Sequence, residues 1–282
     1  MEKISFTNAR GEVIHFDGPP FYLVSVDGLG DVSAINQTQK SPYQDGSSYV
    51  DTLLEERMVT VNFLIAEDDG YAKISENRAK SGRILSPKLG LGVLRYENEH
   101  LIREIEAVAE SVPIYPDNGS RNETLQKGMI LFNCPNPYWK SLTMTEEPTF
   151  EELFKFPFEG VFEMGIQRDE RVMDNDGDSP APLFIEFHGP AVNPRIINNT
   201  TGEFFKVNQT LNEGEVMEID TEAGTVFFLG PDGNRRNVFN WIDDDAVFFQ
   251  LALGENNIEY TADSDIQGAI VDIRYNKLYT AV

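Results

Sequence analysis

LNEGEVMEIDTEAGTVFFLGPDGNRRNVFNWIDDDAVFFQLALGENNIEYTA, residues 211–262, contains short runs in which apolar and polar residues alternate. A run that alternates and ends at Gly, Asn or Asp is typical of an antiparallel strand with one buried face. Turns predicted at Ala223-Gly224, at Pro231–Asn234 and at Leu253–Asn256 separate the runs, because their residues allow the chain to reverse. We predict strands around four groups of apolar residues: Val216 with Ile219, Val226 with Phe228, Val238 with Trp241, and Val247 with Phe249 and Leu251.

The rest of the C-terminal half has the same pattern. A polar connection at residues 140–150 precedes it. Together with the opening stretch, its strands add up to roughly ten, which predicts a β-sandwich domain over residues 143–282. The additional predicted strands are Val161–Gln167, Leu183–His188, Arg195–Asn198, Phe204–Val207 and Ile270–Tyr275.

The N-terminal half, residues 1–142, is predicted as a second β domain with one helix. The helix lies within Tyr71–Leu85 and is ended by Ser86-Pro87. Phe132–Trp139 closes this half, and its two prolines prevent a regular ladder. The predicted strands are Ile4–Phe6, Val13–Phe16, Tyr22–Val26, Arg57–Ala66, Gly92–Tyr96, Leu101–Val112 and Thr124–Phe132.

The segment Gly30–Glu56 is long and polar, with isolated apolar residues and a turn at Pro42–Gly46. A structureless loop of about this length is uncommon in a compact domain and is usually functional. We predict an extended hairpin arm that leaves its own domain; a disordered surface loop is the alternative. The residues expected to contact another subunit are Val32, Ile35, Tyr43, Tyr49, Leu53 and Leu54.

Composition limits the classes of function. The net charge of −24 argues against sequence-independent nucleic-acid binding, which needs clustered Lys and Arg. Most of the acidic excess falls in residues 143–282, so the near-balanced N-terminal half can pack against its own copies with less repulsion. The single Cys134 excludes an intrachain disulfide and suits a reducing compartment. No secretory leader and no membrane insertion are expected, because long apolar runs are missing.

A catalytic function is not expected. His15, His100 and His188 fall in separate segments, and the sequence contains none of the common hydrolase, metalloprotease or phosphate-binding motifs. Cys134 stands among prolines and aromatic residues, which is typical of a buried apolar thiol rather than a nucleophile. No cofactor is predicted.

Two acidic stretches are candidate cation sites. In Asp174–Asp178 the glycine stands fourth, and Glu186 stands thirteenth, whereas an EF-hand loop needs glycine sixth and Glu twelfth. We predict an acidic turn there, with a bound cation as the alternative, and a solvated loop at Asp243–Asp245. No metal site is therefore predicted.

A sugar site is the second candidate. Galactoside-binding sandwiches use His, Asn, Arg, a second Asn and a stacking Trp in this order, although here Gly189–Val192 separates the His from the Asn. Such a site needs convergent polar groups beside an exposed aromatic ring. The candidate residues are His188, Asn193, Arg195, Asn208 and Trp241.

Both halves of the chain contain motifs that resemble those of a known family. They occur in the same order as in that family and span nearly the full length. The chain resembles the distal tail proteins (Dit) of non-contractile long-tailed bacteriophages, the siphophages, and of related prophages. The matching segments are RMVTVNFLI behind the arm, Leu85–Pro87, Gly92–Tyr96, FNCPNPYW, Asn175–Pro180, Phe187–Pro190 with Asn193-Pro194, Asn212–Glu215 with Glu218–Thr221, and Leu253–Ile258.

The resemblance implies a structural protein of the virion tail tip, or baseplate, assembled in the cytoplasm of the bacterial host. It implies a hexameric ring made by the N-terminal domains and their arms, with galectin-like β-sandwiches on the outside. The ring would join the tail tube protein to the tail-associated hub or fibre protein and to receptor-binding proteins, and DNA would pass through it without specific binding. No catalytic residue is carried over. A carbohydrate-binding module for host recognition is the alternative function.

Overall fold

The computed structural model describes the backbone of residues 2–117, 119, 121–142, 145–147, 150–152, 165–167, 170–264 and 270–282. The chain divides into two compact units, one of Met1–Leu142 with Tyr279–Val282 and one of Thr143–Leu278. The last four residues thus belong to the first unit, whereas the sequence analysis assigns them to the second domain. Across the described ranges, no helix has both the length and the apolar character that crossing a membrane requires.

The first unit is built on one antiparallel sheet in the order β2-β1-β8-β9-β10-β7-β4-β3. A 14-residue helix, α1 (Tyr71–Ile84), follows β7, and a 3₁₀ turn at Pro87–Leu89 follows the helix. The strands of this unit are β1 Lys3–Thr7, β2 Val13–His15, β3 Asp17–Gly18, β4 Phe21–Asp27, β5 Ala34–Gln39, β6 Ser48–Leu54, β7 Arg57–Ala66, β8 Gly92–Glu97, β9 Ile102–Ala109, β10 Leu125–Cys134 and β11 Trp139–Ser141.

The alternating pattern of β7 explains its place in the middle of this sheet. Its odd-numbered residues from Val59 to Ile65 are buried and its even-numbered residues face outward, as a period of two requires. The helix buries Ile74, Asn77, Ser81 and Ile84, which are three or four residues apart and share one face. The helix ends before Pro87, in agreement with the prediction from Ser86-Pro87.

The second unit is a sandwich of a six-stranded sheet, β12-β25-β16-β21-β22-β23, and a four-stranded sheet, β15-β24-β18-β19. Inward-facing residues of both sheets form one core, as in Phe187 of β16 and Tyr260 of β24. The strands are β12 Thr145–Glu147, β13 Phe150–Glu152, β14 Gly165–Gln167, β15 Glu170–Asn175, β16 Leu183–His188, β17 Ala191–Val192, β18 Arg195–Asn198, β19 Glu203–Lys206, β20 Thr210–Leu211, β21 Val216–Asp220, β22 Thr225–Leu229, β23 Arg235–Asn237, β24 Gly254–Thr261 and β25 Ile270–Tyr275. The last strand, β26 Leu278–Tyr279, belongs to the sheet of the first unit.

The mainly β class, with a helix, a hairpin arm and a β-sandwich in the second unit, is confirmed, but the strand predicted around Val238 and Trp241 is wrong. The strand β23 ends at Asn237, and Phe239–Trp241 is a 3₁₀ turn. The Asn237 side chain accepts a hydrogen bond from the backbone N–H of Phe239 at 3.0 Å and so stops the strand. Val238 and Trp241 are three residues apart, which is the period of a 3₁₀ turn and not of a strand.

The strand predicted around Val247, Phe249 and Leu251 is also wrong. This segment is irregular and is held by isolated backbone bonds, from Val247 to Phe204 and between Leu251 and Ala181. The true strand follows it as β24, whose first residues were predicted as a turn. Likewise, Asp174 and Asn175 of the predicted acidic turn end strand β15.

Several other strand predictions differ from the structure only at their ends. The predicted strand over Leu101–Val112 ends at Ala109. Of the predicted strand Val161–Gln167, residues 161–164 lie outside the described residues, and Gly165–Gln167 forms β14.

Candidate assembly site

The predicted hairpin arm is confirmed: among the described residues, β5 and β6 pair only with each other, in a two-stranded antiparallel sheet of their own. All residues of the two strands are exposed except Leu54, which is half-buried. The arm therefore leaves the main sheet of the first unit and presents both of its faces to solvent.

The register of the arm divides its side chains between two faces. Ile35 lies directly opposite Leu53, so these two apolar side chains share one face. A bulge at Val50 shifts the register, and Tyr49 pairs with Thr38 on the other face. Tyr49 Oη donates to Thr52 Oγ1 at 2.9 Å on that face. Each face thus carries its own exposed apolar group.

Several large apolar side chains of the arm are highly exposed. Tyr43 is fully exposed at the tip, where its φ of 66° places it in the left-handed region, and Tyr49 is 65% exposed. Ile35 and Leu53 are each 51% exposed, whereas the predicted contact residue Val32 is half-buried at the base of the arm. The structure adds Val50, at 59% exposed, which the predicted contact set does not contain. Exposed apolar side chains that lie close together are typical of interaction surfaces.

Arg57, the first residue of β7, holds the base of the arm. Its side chain is 1% exposed. Its guanidinium donates from Nη1 to the carbonyl oxygens of Gly28 at 3.0 Å and Gly30 at 2.7 Å, and from Nε to that of Pro137 at 2.8 Å. Burial lowers the pKa of Arg57, but a guanidinium stays protonated at neutral pH. One buried cation thus fixes the carbonyls from which the arm departs.

Two neighbouring positions depend on this arrangement. Gly28 has a φ of 91°, and a Cβ there would lie 2.0 Å from the carbonyl oxygen of Met58, so only glycine fits. Cys134 pairs with Arg57 across β7 and β10, and burial raises the pKa of its thiol to about 12. The thiol is therefore a neutral core group. Sequence reasoning missed Arg57, although a lone cation at the start of an apolar strand is a detectable signal.

The five predicted sugar-site residues lie in different settings. Asn193, Arg195, Asn208 and Trp241 lie at one end of the four-stranded sheet. Arg195 pairs with Lys206, Asn193 N donates to Gln209 O at 2.9 Å, and Asn208 N donates to Trp241 O at 2.8 Å. His188 lies instead at the end of β16 in the six-stranded sheet, where its Nε2 is 3.4 Å from Asp272 Oδ2.

The side-chain amides of Asn193 and Asn208 already have protein partners. The Asn193 amide donates to Asp263 at 2.6 Å, and the Asn208 amide donates to Asp243 at 3.0 Å. This bond from Asn208 is the largest cause of the lowered pKa of Asp243. The guanidinium of Arg195 lies 4.1 Å from the centroid of the Phe204 ring.

Trp241 does not present a free stacking face. Its side chain is half-buried and packs against the core, with the Phe228 ring edge-on at 5.4 Å between centroids. The guanidinium of Arg236 lies over the indole ring at 5.1 Å from its centroid. A sugar ring would have to displace that cation.

Each of the two acidic stretches contains an aspartate that forms an ion pair with a lysine. Asp176 lies 2.8 Å from Lys277, and Asp243 lies 3.6 Å from Lys206. One aspartate of each stretch is thus paired with a lysine.

Comparisons with known proteins agree over both units. A family model described as the RIFT-related domain of phage tail proteins matches residues 9–134, and one described as the C-terminal domain of siphovirus-type tail components matches residues 176–279. No curated protein sequence matches the chain significantly.

Solved structures of phage tail proteins share the fold. The Dit protein (gp 19.1) of phage SPP1, described as a paradigm of the hub adsorption apparatus in phages that infect Gram-positive bacteria, matches with a TM-score of 0.70 and 14% identity over 99% of both chains. A chain of the phage P2 baseplate in its activated conformation with calcium matches with a TM-score of 0.56 and 11% identity over 98% of both. The corresponding strontium structure gives 0.53 and 12%, over 97% of this chain and 98% of that one.

Proposed function

Because the chain belongs to the distal tail protein family of siphophages and is a structural part of the tail tip or baseplate, we propose that six copies of it close into a ring held by the arms. The single observation that carries this proposal is the exposed two-stranded arm, whose apolar side chains have no cover within their own chain among the described residues. Its role is structural and not catalytic.

The size of the arm suits this role. An arm of about 30 residues that is covered on both faces buries on the order of 1,000 Å², which is the threshold for a specific interface. Contacts between unlike patches of neighbouring copies generate a ring when the rotation closes. The arm and its acceptor must therefore be different surfaces of the same molecule.

The acceptor that we propose is the outer part of β4 and β7. Tyr22, Val24 and Met58 expose large apolar side chains on these adjacent strands. In the described part of the chain, the far edge of β4 is paired by β3 only at Phe21 and Tyr22. An exposed apolar edge strand is a template for pairing with a second chain.

The family supports a proposal for the neighbours of the ring. The proposed partners are the tail tube protein on one side, and the tail-associated hub or fibre protein and receptor-binding proteins on the other. The net charge of −24 would let DNA slide through the ring without adhering, because like charges repel. Assembly would take place in the cytoplasm of the bacterial host.

The test removes the arm. Replacing residues Gly30–Glu56 by a short glycine-serine linker should leave both cores intact, since the arm contributes no residue to either core. Light scattering should show hexamers for the full chain and monomers for the deletion variant, which should still unfold cooperatively. Rings formed by the deletion variant would refute the role of the arm.

The second candidate, a carbohydrate-binding role of the second unit, has one observation in its favour. The fold brings Asn193, Arg195, Asn208 and Trp241 to one end of a sheet. The ring is the better-supported proposal, because the asparagine amides and the indole face already contact protein groups.

A further inference from the structure

Three ligand-bearing side chains converge on the outer face of the six-stranded sheet. Glu186 and His188 are two residues apart on β16, so they project from the same face. Asp272 of β25 lies directly opposite Glu186 in the strand pair. The ligand atoms of the three side chains all lie within 4.8 Å of one another.

We propose that Glu186, His188 and Asp272 bind one divalent transition-metal ion, with Zn²⁺ as the preferred ion. The donor set is one imidazole nitrogen and two carboxylate oxygens, which suits zinc and its neighbours among the first-row metals. Calcium and magnesium prefer sets made of oxygen alone. The imidazole therefore decides the class of metal.

The distances in the site suit this ion. His188 Nε2 and Asp272 Oδ2 are 3.4 Å apart. Two ligands of a tetrahedral zinc ion, at bond lengths of about 2.0–2.1 Å, are about 3.3 Å from each other. Little rearrangement is needed to place an ion between these two atoms. The side chains are between about a quarter and a half exposed, which leaves room for a water molecule as a further ligand.

Charged neighbours hold the ligands in place. Arg274 forms an ion pair with Glu186 Oε2, which leaves Oε1 available to the ion. On the other side of Glu186, Glu218 of β21 lies directly opposite it and accepts from Arg235 Nε at 2.7 Å. Hydrogen bonds of this kind orient the carboxylates of metal sites. Glu186 also pairs with Arg274. For this reason, His188 and Asp272 should contribute more than Glu186 to the affinity for the ion.

This site is independent of the ring. All of its residues belong to the sandwich unit, and none belongs to the arm. A bound ion would link β16 to β25 by side chains in addition to the backbone ladder. This site could not be predicted from the sequence, because Asp272 is far from His188 in the chain and meets it only through strand pairing.

The test uses the full chain, freed of metal with a chelator and titrated with zinc chloride in a calorimeter. We expect one zinc ion per chain, and an affinity at least tenfold lower in His188→Ala and in Asp272→Asn. Glu186→Gln should weaken binding less. His100→Ala removes an exposed histidine outside the site and should bind as the unmodified chain does.

A second measurement shows whether a variant is misfolded. Asp272→Asn keeps the shape of the side chain, and its circular dichroism should match that of the unmodified chain. Cobalt(II) bound to the unmodified chain should give the intense visible absorption of a tetrahedral ion. Equal zinc affinity in the unmodified chain, His188→Ala and Asp272→Asn, or a weak octahedral cobalt spectrum, would overturn the proposal.

Discussion

Arg57 Nη2 donates a hydrogen bond to the carbonyl oxygen of Thr280 at 2.5 Å, joining residues 223 positions apart in the sequence. The same guanidinium holds the carbonyls of Gly28, Gly30 and Pro137. One buried side chain thereby fixes the base of the arm, the segment after β10 and the last residues of the chain.

Arg57→Met should lower the free energy of unfolding by about 3 kcal/mol, because several buried carbonyl oxygens lose their donor. Arg57→Lys should recover only part of this loss, since an ammonium cannot reproduce the planar fork of donors. Urea unfolding measures both variants. Arg10→Met is the control, because Arg10 is exposed in a turn and its loss should change stability by less than about 0.5 kcal/mol. Similar losses at the two positions would contradict the assignment.

Gly28→Ala and Gly46→Ala form a matched pair. Both glycines have positive φ, at 91° and 75°, so both substitutions carry a backbone penalty of about 1–2 kcal/mol. A Cβ at Gly28 also meets Met58 O at 2.0 Å, whereas Gly46 has open space. Thermal unfolding should show a clearly larger loss for Gly28→Ala. Equal losses would mean that the close approach at the base of the arm relaxes without cost.

Cys134 should make the stability depend on alkaline pH. Burial raises the pKa of its thiol from 9.0 to about 12, so the folded state keeps a proton that the unfolded state loses. The stabilisation is therefore fully present below pH 9 and is lost as the pH rises toward 12. At pH 10 the loss amounts to about 1.4 kcal/mol.

The measurement for Cys134 is a comparison with Cys134→Ala, in which this part of the pH dependence should disappear. Urea unfolding at pH 8 and pH 10 gives the two differences. The same pH dependence in both proteins would show that the thiol is not responsible.

Ile35→Asp should prevent ring formation while leaving each chain folded. The aspartate would place a charge opposite Leu53 on the apolar face of the arm, and each interface would lose about 2 kcal/mol or more of apolar burial. Light scattering should show monomers. Val112→Asp changes a similarly exposed valine in the same unit outside the arm and should leave the rings intact. Rings in both variants would exclude this face from the interface.

Trp241→Ala should act on stability rather than on sugar binding. The ring packs against the core beside Phe228, and its loss should lower the free energy of unfolding by about 2–3 kcal/mol. A glycan array is the test of the sugar proposal, with Phe239→Ala as the control for an exposed aromatic side chain. A glycan signal that Trp241→Ala erases and Phe239→Ala retains would establish the sugar site instead.

Much of the fold could be predicted from the sequence, because strand periodicity is a local property. The bounds of β7, β16, β18 and β25 were predicted correctly, and β16 and β25 have inward-facing apolar residues at every second position. The sequence also marked Gly30–Glu56 as an arm, since a long polar segment with isolated apolar residues has no core of its own to join. Prediction failed at Val238–Trp241, where the side chain of Asn237 competes with the ladder.

The sequence by itself determined the mainly β class, the position of the arm and the family resemblance, because these depend on patterns between residues close in the chain. Only the tertiary structure decided which distant residues meet. It showed that Arg57 reaches Thr280, that Ile35 and Tyr49 lie on opposite faces of the arm, and that Asp272 lies beside His188. The physical reason is that such contacts depend on strand order and register, which the spacing of residues within one strand does not specify.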